Sequence, residues 1–312
     1  MQIHLPSGQT AWLIGDPHLG RKFERGVPVH RYGEREKSQF AKFVTELETP
    51  KVDYNIMVGD LFDHPHVSSA IVVAAATAFL NAAERLPEVT FIAMAGNHDL
   101  SRDITVVGAW QLFCKIVDGR LPNLLTVTKP CQVGGIALLP WQWGVPAVEQ
   151  LEWLDDPTVA VGHWDLQSFG GDDSHMAPTQ ELHALGVTEI YSGHYHTAGD
   201  YKVAGHVVHC TGSLEPYSHA EDPNGDIYVT LTLAEALDGR DLHDKFVRLE
   251  LAAGEVIPED LDVQALTVRA APVEAEELLP QEDFEWTAIM AEALDGLSPE
   301  VRDFISERIT PQ

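Results

Sequence analysis

Residues 52–63 read VDYNIMVGDLFD, and the predicted fold class follows from this stretch and from others like it. Its apolar run ends abruptly at Gly59 and Asp60, which is how a buried parallel strand presents a carboxylate at its C-terminal edge. Open α/β sheets carry their ligand-binding groups at that edge. Gly59 allows a sharp turn without a side chain that would crowd the neighbouring groups. A carboxylate has two oxygens and can bind two cations at once, so the sequence predicts that Asp60 bridges a two-metal centre.

Four other apolar segments end in the same manner, in side chains that offer oxygen or nitrogen. They lie at residues 11–15, 89–95, 158–161 and 189–192, and the polar residues after them are Asp16, His18, Asn97, His163, His194 and His196. Each motif alone is common, but their repetition predicts one metal site built from strand ends. Mixed carboxylate and imidazole ligands suit Mn, Fe or Zn better than Ca or Mg. The set contains no thiolate, which argues against a closed structural zinc site.

The segments between these strands have helical spacing, at residues 34–48, 69–85 and 106–117. Alternation of strand and helix in the first half is typical of right-handed βαβ units in a parallel sheet. The second half contains shorter apolar segments, which predict a second sheet. The predicted fold class is therefore α/β, with two packed mixed β-sheets flanked by helices and the polar strand ends converging on one rim.

The chain has 312 residues and a formal net charge of −28, which argues against a protein that binds nucleic acid unaided. Three scattered cysteines without a CxxC pair fit a reducing compartment. With no signal-peptide pattern and no long apolar run, we expect no membrane span and a cytoplasmic location. Six cations follow the first motif, and they predict either a solvated loop or a phosphate-guiding patch. They are Arg21, Lys22, Arg25, Arg31, Arg35 and Lys37.

The motifs DxH at 16–18, GDxxD at 59–63, GNHD at 96–99, GH at 162–163 and GHxH at 193–196 resemble those of the calcineurin-like metallophosphoesterases. The resemblance covers residues 11–215. It implies two divalent ions, with Mn²⁺ expected and Fe²⁺, Zn²⁺ or Mg²⁺ as alternatives. One ion would be held by Asp16, His18, Asp60 and His196, and the other by Asp60, Asn97, His163 and His194. His98 would act on the phosphate as acid or stabiliser, and Asp99 would orient His98.

Details of the motifs distinguish branches of this family. Protein phosphatases of the family typically carry Arg after GDxxD and Glu after GNH, whereas this chain has His64 and Asp99 there. That difference favours phosphodiesters as substrates. The runs DPHLG at 16–20 and GSLEP at 212–216, the latter with Ser218 and Glu221 after it, resemble SbcD-type nuclease subunits of double-strand-break repair and recombination. Pro17 and the short, acidic C-terminal part depart from that pattern.

The resemblance implies DNA as substrate, as an exonuclease or endonuclease, and a coiled-coil SMC-like ATPase as partner, and it leaves a homodimer open. A phosphodiesterase acting on cyclic nucleotides is the alternative, since it would suit an acidic protein without a partner. A non-catalytic scaffold of the same fold is a third reading. The intact ligand set argues against a scaffold, which has no need to retain His98 beside Asn97.

Three regions are expected along the chain. Residues 1–224 form the metallophosphoesterase catalytic domain, and 225–269 form a small accessory or capping region with strands near 227–233 and 246–251. Residues 270–312 form an acidic linker and a helical hairpin. The apolar faces of that hairpin, with Trp286 and Ile289 on one helix and Phe304 and Ile305 on the other, would dock the ATPase or pack on the protein's own domain.

Overall fold

The computed structural model describes residues 1–48, 51–103, 105–168, 173–258 and 261–270. The first large sheet consists of β1 (Gln2–His4), β2 (Thr10–Ile14), β3 (Tyr54–Met57), β4 (Thr90–Met94) and β5 (Leu124–Val127). The strands lie side by side in chain order, with β2 to β5 parallel and β1 antiparallel at the edge. The carboxyl ends of β2, β3 and β4 therefore lie at one edge of this sheet.

The second large sheet is mixed. Its strands are β6 (Cys131–Val133), β7 (Ile136–Leu139), β8 (Val159–His163), β9 (Glu189–Gly193), β10 (Gly199–Val203) and β11 (His206–Cys210). Their spatial order is β10-β11-β9-β8-β7-β6, with four parallel strands in the middle and an antiparallel hairpin partner at each edge. A third, three-stranded sheet contains β12 (Tyr228–Thr232), β13 (Phe246–Leu251) and β14 (Ala265–Ala270).

Helices cover the outer faces of the two large sheets. They are α1 (Glu34–Glu48), α2 (Ser69–Arg85), α3 (Ala109–Val117) and α4 (Thr179–Ala184), whereas α5 (Leu233–Ala236) directly follows β12 of the third sheet. The first three place fully buried rings, such as those of Phe43, Phe79 and Phe113, against the outer face of the first sheet. α3 begins three residues later than predicted, because the Gly108 N–H donates to the Gln111 side chain and the helix begins after it.

The inner faces of the two large sheets pack on each other. Ile56 and Ile92 of the first sheet share one fully buried core with Leu138 and Val161 of the second. Burying a side chain of this size contributes roughly 1.5–3 kcal/mol. The predicted fold class, two packed mixed sheets flanked by helices, is confirmed.

Two of the six clustered cations are buried, so neither predicted reading of the cluster holds for them. Arg35 donates from Nη1 to Glu215 Oε2 at 2.6 Å and from Nη2 to the Pro216 carbonyl oxygen at 3.2 Å. Arg31 pairs with Glu34 at 2.8 Å and donates to the His243 carbonyl oxygen at 2.6 Å. These two guanidinium groups are structural, because they connect α1 and its preceding turn to distant parts of the chain.

Residues Met1–Glu250 and Val256–Arg269 form one compact unit that contains both large sheets. Of the second unit, the described residues are Leu251–Glu255 and Ala270, and the Ala252 N–H donates to the Glu255 carboxylate at 2.8 Å. The predicted C-terminal linker and helical hairpin lie outside the described residues, and the three predicted domain boundaries stay predictions. Among the described residues, no helix is long and apolar enough to cross a membrane.

The Arg35–Glu215 pair yields a stability prediction. Arg35→Met should lower the free energy of unfolding by about 3 kcal/mol, because it leaves the buried Glu215 carboxylate without its main partner. Lys37→Met, an exposed change on the same helix, serves as the control. Urea unfolding of both variants measures the difference, and equal midpoints would show that the pair contributes no net stability.

Candidate metal centre

The strand ends of both large sheets meet at one place. Asp16 and His18 follow β2, Asp60 follows β3, and Asn97 follows β4. His163 is the last residue of β8, and its Nδ1 lies 3.0 Å from the Val58 carbonyl oxygen of the first sheet. His194 and His196 follow β9. The structure thus brings together all seven residues that the sequence analysis selected as metal ligands.

The first group of possible ligands consists of Asp16, His18 and His196, whose ligand atoms all lie within 4.8 Å of one another. His18 Nε2 lies 3.0 Å from His196 Nε2. Asp16 accepts the His194 N–H on Oδ2, whereas its buried Oδ1 has no hydrogen-bond partner among the described residues. A buried carboxylate oxygen left without a partner is costly, and a cation between these side chains would satisfy it.

The second group consists of Asp60, His163 and His194, again with ligand atoms within 4.8 Å of one another. Asn97 belongs with them, because its Oδ1 lies 2.9 Å from His163 Nε2 and 2.9 Å from His194 Nδ1. Two imidazole nitrogens, an amide oxygen and a carboxylate oxygen therefore converge. That donor set fits a divalent transition-metal ion.

Asp60 lies between the two groups. Its Oδ2 is 3.7 Å from His18 Nε2 in the first group and 3.3 Å from His163 Nε2 in the second. Its Oδ1 accepts the backbone N–H of His98 at 2.8 Å. Asp60 therefore contacts both groups, as expected of a residue that would bind both ions.

Partners outside the ligand groups fix how the imidazoles point. His163 uses Nδ1 for the Val58 carbonyl oxygen, His194 uses Nε2 for Asp165 at 2.9 Å, and His196 Nδ1 lies 3.3 Å from Glu221. In each case the other ring nitrogen faces the cluster, as expected when a hydrogen bond to one ring nitrogen sets the tautomer of an imidazole that binds metal through the other. The sequence analysis missed Asp165. The sequence contains a pattern that could have indicated Asp165, because this residue lies two positions after His163 at the end of an apolar strand.

The backbone is strained at three of these positions. His18, Asp60 and His194 have φ values of 44°, 48° and 78°, in the left-handed region that side chains with a Cβ disfavour. Among the described residues, only two other non-glycine residues have positive φ. Such strain persists where the surrounding structure holds it in place, and it concentrates at functional sites.

Two glycines make room for the ligands. A Cβ on Gly59, whose φ is 126°, would lie 2.1 Å from His163 Nδ1. A Cβ on Gly96 would lie 2.2 Å from Asp60 Oδ1. Both contacts are far shorter than real Cβ atoms allow, so the Gly-Asp and Gly-Asn pairs follow from packing at the rim. The glycines let strand ends of both sheets approach closely enough to share ligands.

The electrostatics of the protein groups alone also call for positive charge. Burial, partly offset by His163, raises the pKa of Asp16 to about 7, and the nearby Asp60 carboxylate adds to the increase. Burial also acts to raise the pKa of Asp60, but His163 and then His18 outweigh it and hold that pKa below its usual value. Burial lowers the pKa of His18 to about 3. Burial acts to lower the pKa of His163, but Asp60 and then Asp16 outweigh it and raise that pKa to about 9, so the two carboxylates favour positive charge at this site. Divalent cations would supply more of that charge.

The positions of His98 and Asp99 require a correction. Asp99 was expected to orient His98, but its carboxylate accepts backbone N–H groups of Leu61, Phe62 and Gly96, at 3.2, 2.8 and 2.9 Å. It ties the loop after β3 to the loop after β4. His98 is instead oriented by the carbonyl oxygen of Asp63, 2.6 Å from its Nδ1. Nδ1 must be the donor there, so Nε2 of the exposed ring remains available.

Comparison with known proteins gives the class of the molecule. The family model for calcineurin-like phosphoesterases matches residues 10–198, more than half of the chain. The chain belongs to the calcineurin-like phosphoesterase family. A search of curated proteins found no match. Family and ligand groups together define a metal-dependent phosphoesterase.

The position of Asp60 yields a prediction about metal content. Asp60→Asn should weaken binding of both ions, because the amide removes the charge shared by the two ligand groups. Asp53→Asn, at the other end of the same strand and exposed, is the control. Elemental analysis of the purified proteins measures the ions retained. Full metal content in Asp60→Asn would contradict a bridging role.

The carboxylates that contact His194 and His196 yield a second prediction about metal binding. Asp165→Asn and Glu221→Gln should each lower metal affinity about 10–100-fold, as expected for partners that orient ligating histidines. Asp200→Asn is the matched control, because Asp200 contacts His209 at 2.7 Å outside the ligand groups. Titration calorimetry with Mn²⁺ compares the three variants. If all three bind alike, Asp165 and Glu221 do not support the ligands.

Proposed function

We propose that the protein is a phosphodiesterase that hydrolyses DNA with the help of two divalent ions, Mn²⁺ being the expected one. The environment of His98 is the observation that carries the proposal. The ring is exposed, its centroid lies 4.7 Å from that of His18, and its Nδ1 is held by the Asp63 carbonyl oxygen. A phosphodiester releases an alcohol that needs a proton, and the imidazolium form of His98, protonated on both nitrogens, would donate it from Nε2.

The two ligand groups support the following distribution of the ions. Asp16, His18, Asp60 and His196 would hold one, and Asp60, Asn97, His163 and His194 the other. When bound, such ions neutralise phosphoryl oxygens and make water nucleophilic at neutral pH.

Two groups of the chain itself position His98 and orient its imidazole. Asp60 Oδ1 holds the backbone N–H of His98, so the residue between the ligand groups also positions the acid. The Asp63 carbonyl oxygen fixes the direction of the imidazole, which presents Nε2 to the leaving oxygen.

Two observations support DNA as the substrate. The runs DPHLG and GSLEP, which resemble SbcD-type nucleases, contact each other, since the Leu214 N–H donates to the Asp16 carbonyl oxygen at 3.0 Å. The residue after that run, Tyr217, donates from its hydroxyl to the Asp16 carbonyl oxygen at 2.9 Å, which places this segment against the metal ligands. The resemblance thus lies at the site itself.

Cyclic nucleotides are the alternative substrate, and the net charge of −28 is the observation that favours them. The direct test incubates the protein and Mn²⁺ with labelled single- and double-stranded DNA, cyclic AMP and p-nitrophenyl phosphate. DNA hydrolysis in excess of the other two supports the proposal. Preference for cyclic AMP or for the monoester would refute it.

A coiled-coil ATPase partner remains a proposal drawn from the resemblance, since the helices expected to dock it lie outside the described residues. A net charge of −28 disfavours DNA binding by this chain alone, and a basic partner would supply the missing contacts with DNA phosphates. Co-purification with a candidate ATPase, with and without residues 280–312, tests it.

Catalysis should separate from metal binding at His98. His98→Ala should retain both ions and lose about 10²–10⁴-fold in rate, as expected when a general acid is removed. His4→Ala, an exposed histidine on β1, is the control. Turnover is measured at saturating Mn²⁺ together with metal content. Parent-like turnover in His98→Ala would remove His98 from the mechanism.

A further inference from the structure

A cavity of about 390 Å³ lies beside the candidate metal centre. One wall is the loop at residues 21–25 that follows the DPHLG run. The other walls are β13 and β14 of the small sheet and the segment at residues 217–219. Its volume is within the range of about 300–1,000 Å³ found for ligand pockets. None of the metal ligands lines it, so it is a separate feature of the surface.

The cavity concentrates positive charge on an acidic protein. Four of its lining residues are cations, Arg21, Lys22, Arg25 and Arg248, against one acidic residue, Glu24. No residue in the described part of the chain forms an ion pair with Lys22, Arg25 or Arg248. Cations left without acidic partners in a concave site attract anions, even when the chain carries a net charge of −28.

Tyr217 connects this cavity to the metal ligands. Its ring lines the cavity and also lies edge-on to His18 and His196, with centroids 5.2 and 5.3 Å away. Arg21 lies over the same ring, its guanidinium carbon 4.7 Å from the centroid, and its Nη1 is 3.5 Å from Asp63. A phosphate in the cavity would therefore be a near neighbour of one at the metals.

The floor of the cavity is apolar and closed. Phe23, Tyr228 and Phe246 pack with Tyr217 in one buried cluster, and each is less than 10% exposed. Rings buried to this extent are core residues and offer no open face for stacking a base. Burial, followed by the charge of Arg248, lowers the pKa of His219, so His219 adds no positive charge near neutral pH. Recognition here would rest on the Arg and Lys side chains.

We propose that this basic cavity binds the backbone phosphates of the DNA strand that lie next to the scissile phosphate. The proposal rests on the proposed nuclease function and names where a polymeric substrate lies. Contacts of Arg and Lys with phosphates carry no sequence information, so binding here is independent of sequence. A cyclic nucleotide has a single phosphate, which the metals would take, and it would leave the cavity empty.

The experiment compares two double variants of the full-length chain that remove equal charge. Arg25→Ala with Arg248→Ala changes the cavity, and Lys115→Ala with Arg120→Ala changes exposed positions in and just after α3. Each is assayed with Mn²⁺ on a single-stranded oligonucleotide and on bis(p-nitrophenyl) phosphate. The ratio of kcat/KM for the oligonucleotide to that for the small diester should fall at least about tenfold in the cavity variant, the loss expected for one charge-assisted hydrogen bond.

Salt dependence gives a second readout. The slope of log KM for the oligonucleotide against log salt should decrease by about 0.7 for each phosphate contact removed. The α3 variant should match the parent protein in ratio and slope. Equal ratios and equal slopes in the two double variants would overturn the proposal.

Binding measured without cleavage separates this proposal from the nuclease proposal. Fluorescence anisotropy of a labelled oligonucleotide is measured with Mn²⁺ in the His98→Ala background, with and without the cavity substitutions. If the parent protein cleaves no DNA, the proposed function fails. The cavity proposal fails if the oligonucleotide binds the cavity variant as tightly as the background protein, or if it binds neither.

Discussion

Asp60 is a carboxylate only 1% exposed, at the point where two sheets meet, and its charge is held by direct contacts. Burying an ionised carboxylate is tolerated only when hydrogen bonds and opposite charge compensate it. The His98 N–H donates to Asp60 Oδ1, and the imidazole of His163 lies 3.3 Å from Asp60 Oδ2. To bring them together, β3, β4 and β8 must end at the same rim, with glycine where a Cβ would collide. The environment of the Asp60 carboxylate thus depends on the packing of the two large sheets.

Cations in this chain have two different roles, which the total charge conceals. Arg31 and Arg35 are buried, and through Glu215 and His243 they connect α1 and its preceding turn to segments about 180 and 210 positions away. Both guanidinium groups donate hydrogen bonds to carboxylate and carbonyl oxygens and so have a structural role. Lys22, Arg25 and Arg248 have no such partner among the described residues. Net charge therefore says little about the local potential beside the candidate metal ligands.

Much of the architecture was predictable because five buried interior strands, β2, β3, β4, β8 and β9, end in a polar motif with a glycine. The bounds of α1 follow from its helical spacing, and the seven proposed ligands follow from strand ends alone. The edge strands β1, β6 and β10 were missed, since they have only three to five residues and little apolar character. The partners of Asp99 are backbone N–H groups, and no sequence pattern records those. Arg35 finds Glu215 only through the tertiary fold.

Residues 217–221 belong to two environments at once. Glu221 faces His196 of the ligand set, whereas Tyr217 and Ser218 line the basic cavity, and the Tyr217 N–H and Ser218 hydroxyl both donate to the Glu221 carboxylate. Bound ions and a bound anionic polymer would therefore both affect the conformation of the same five residues. Thermodynamic linkage makes any such coupling reciprocal: if the polymer tightens ion binding by some factor, the ions tighten polymer binding by the same factor. This short segment would then make occupancy of the metal centre depend on the presence of substrate.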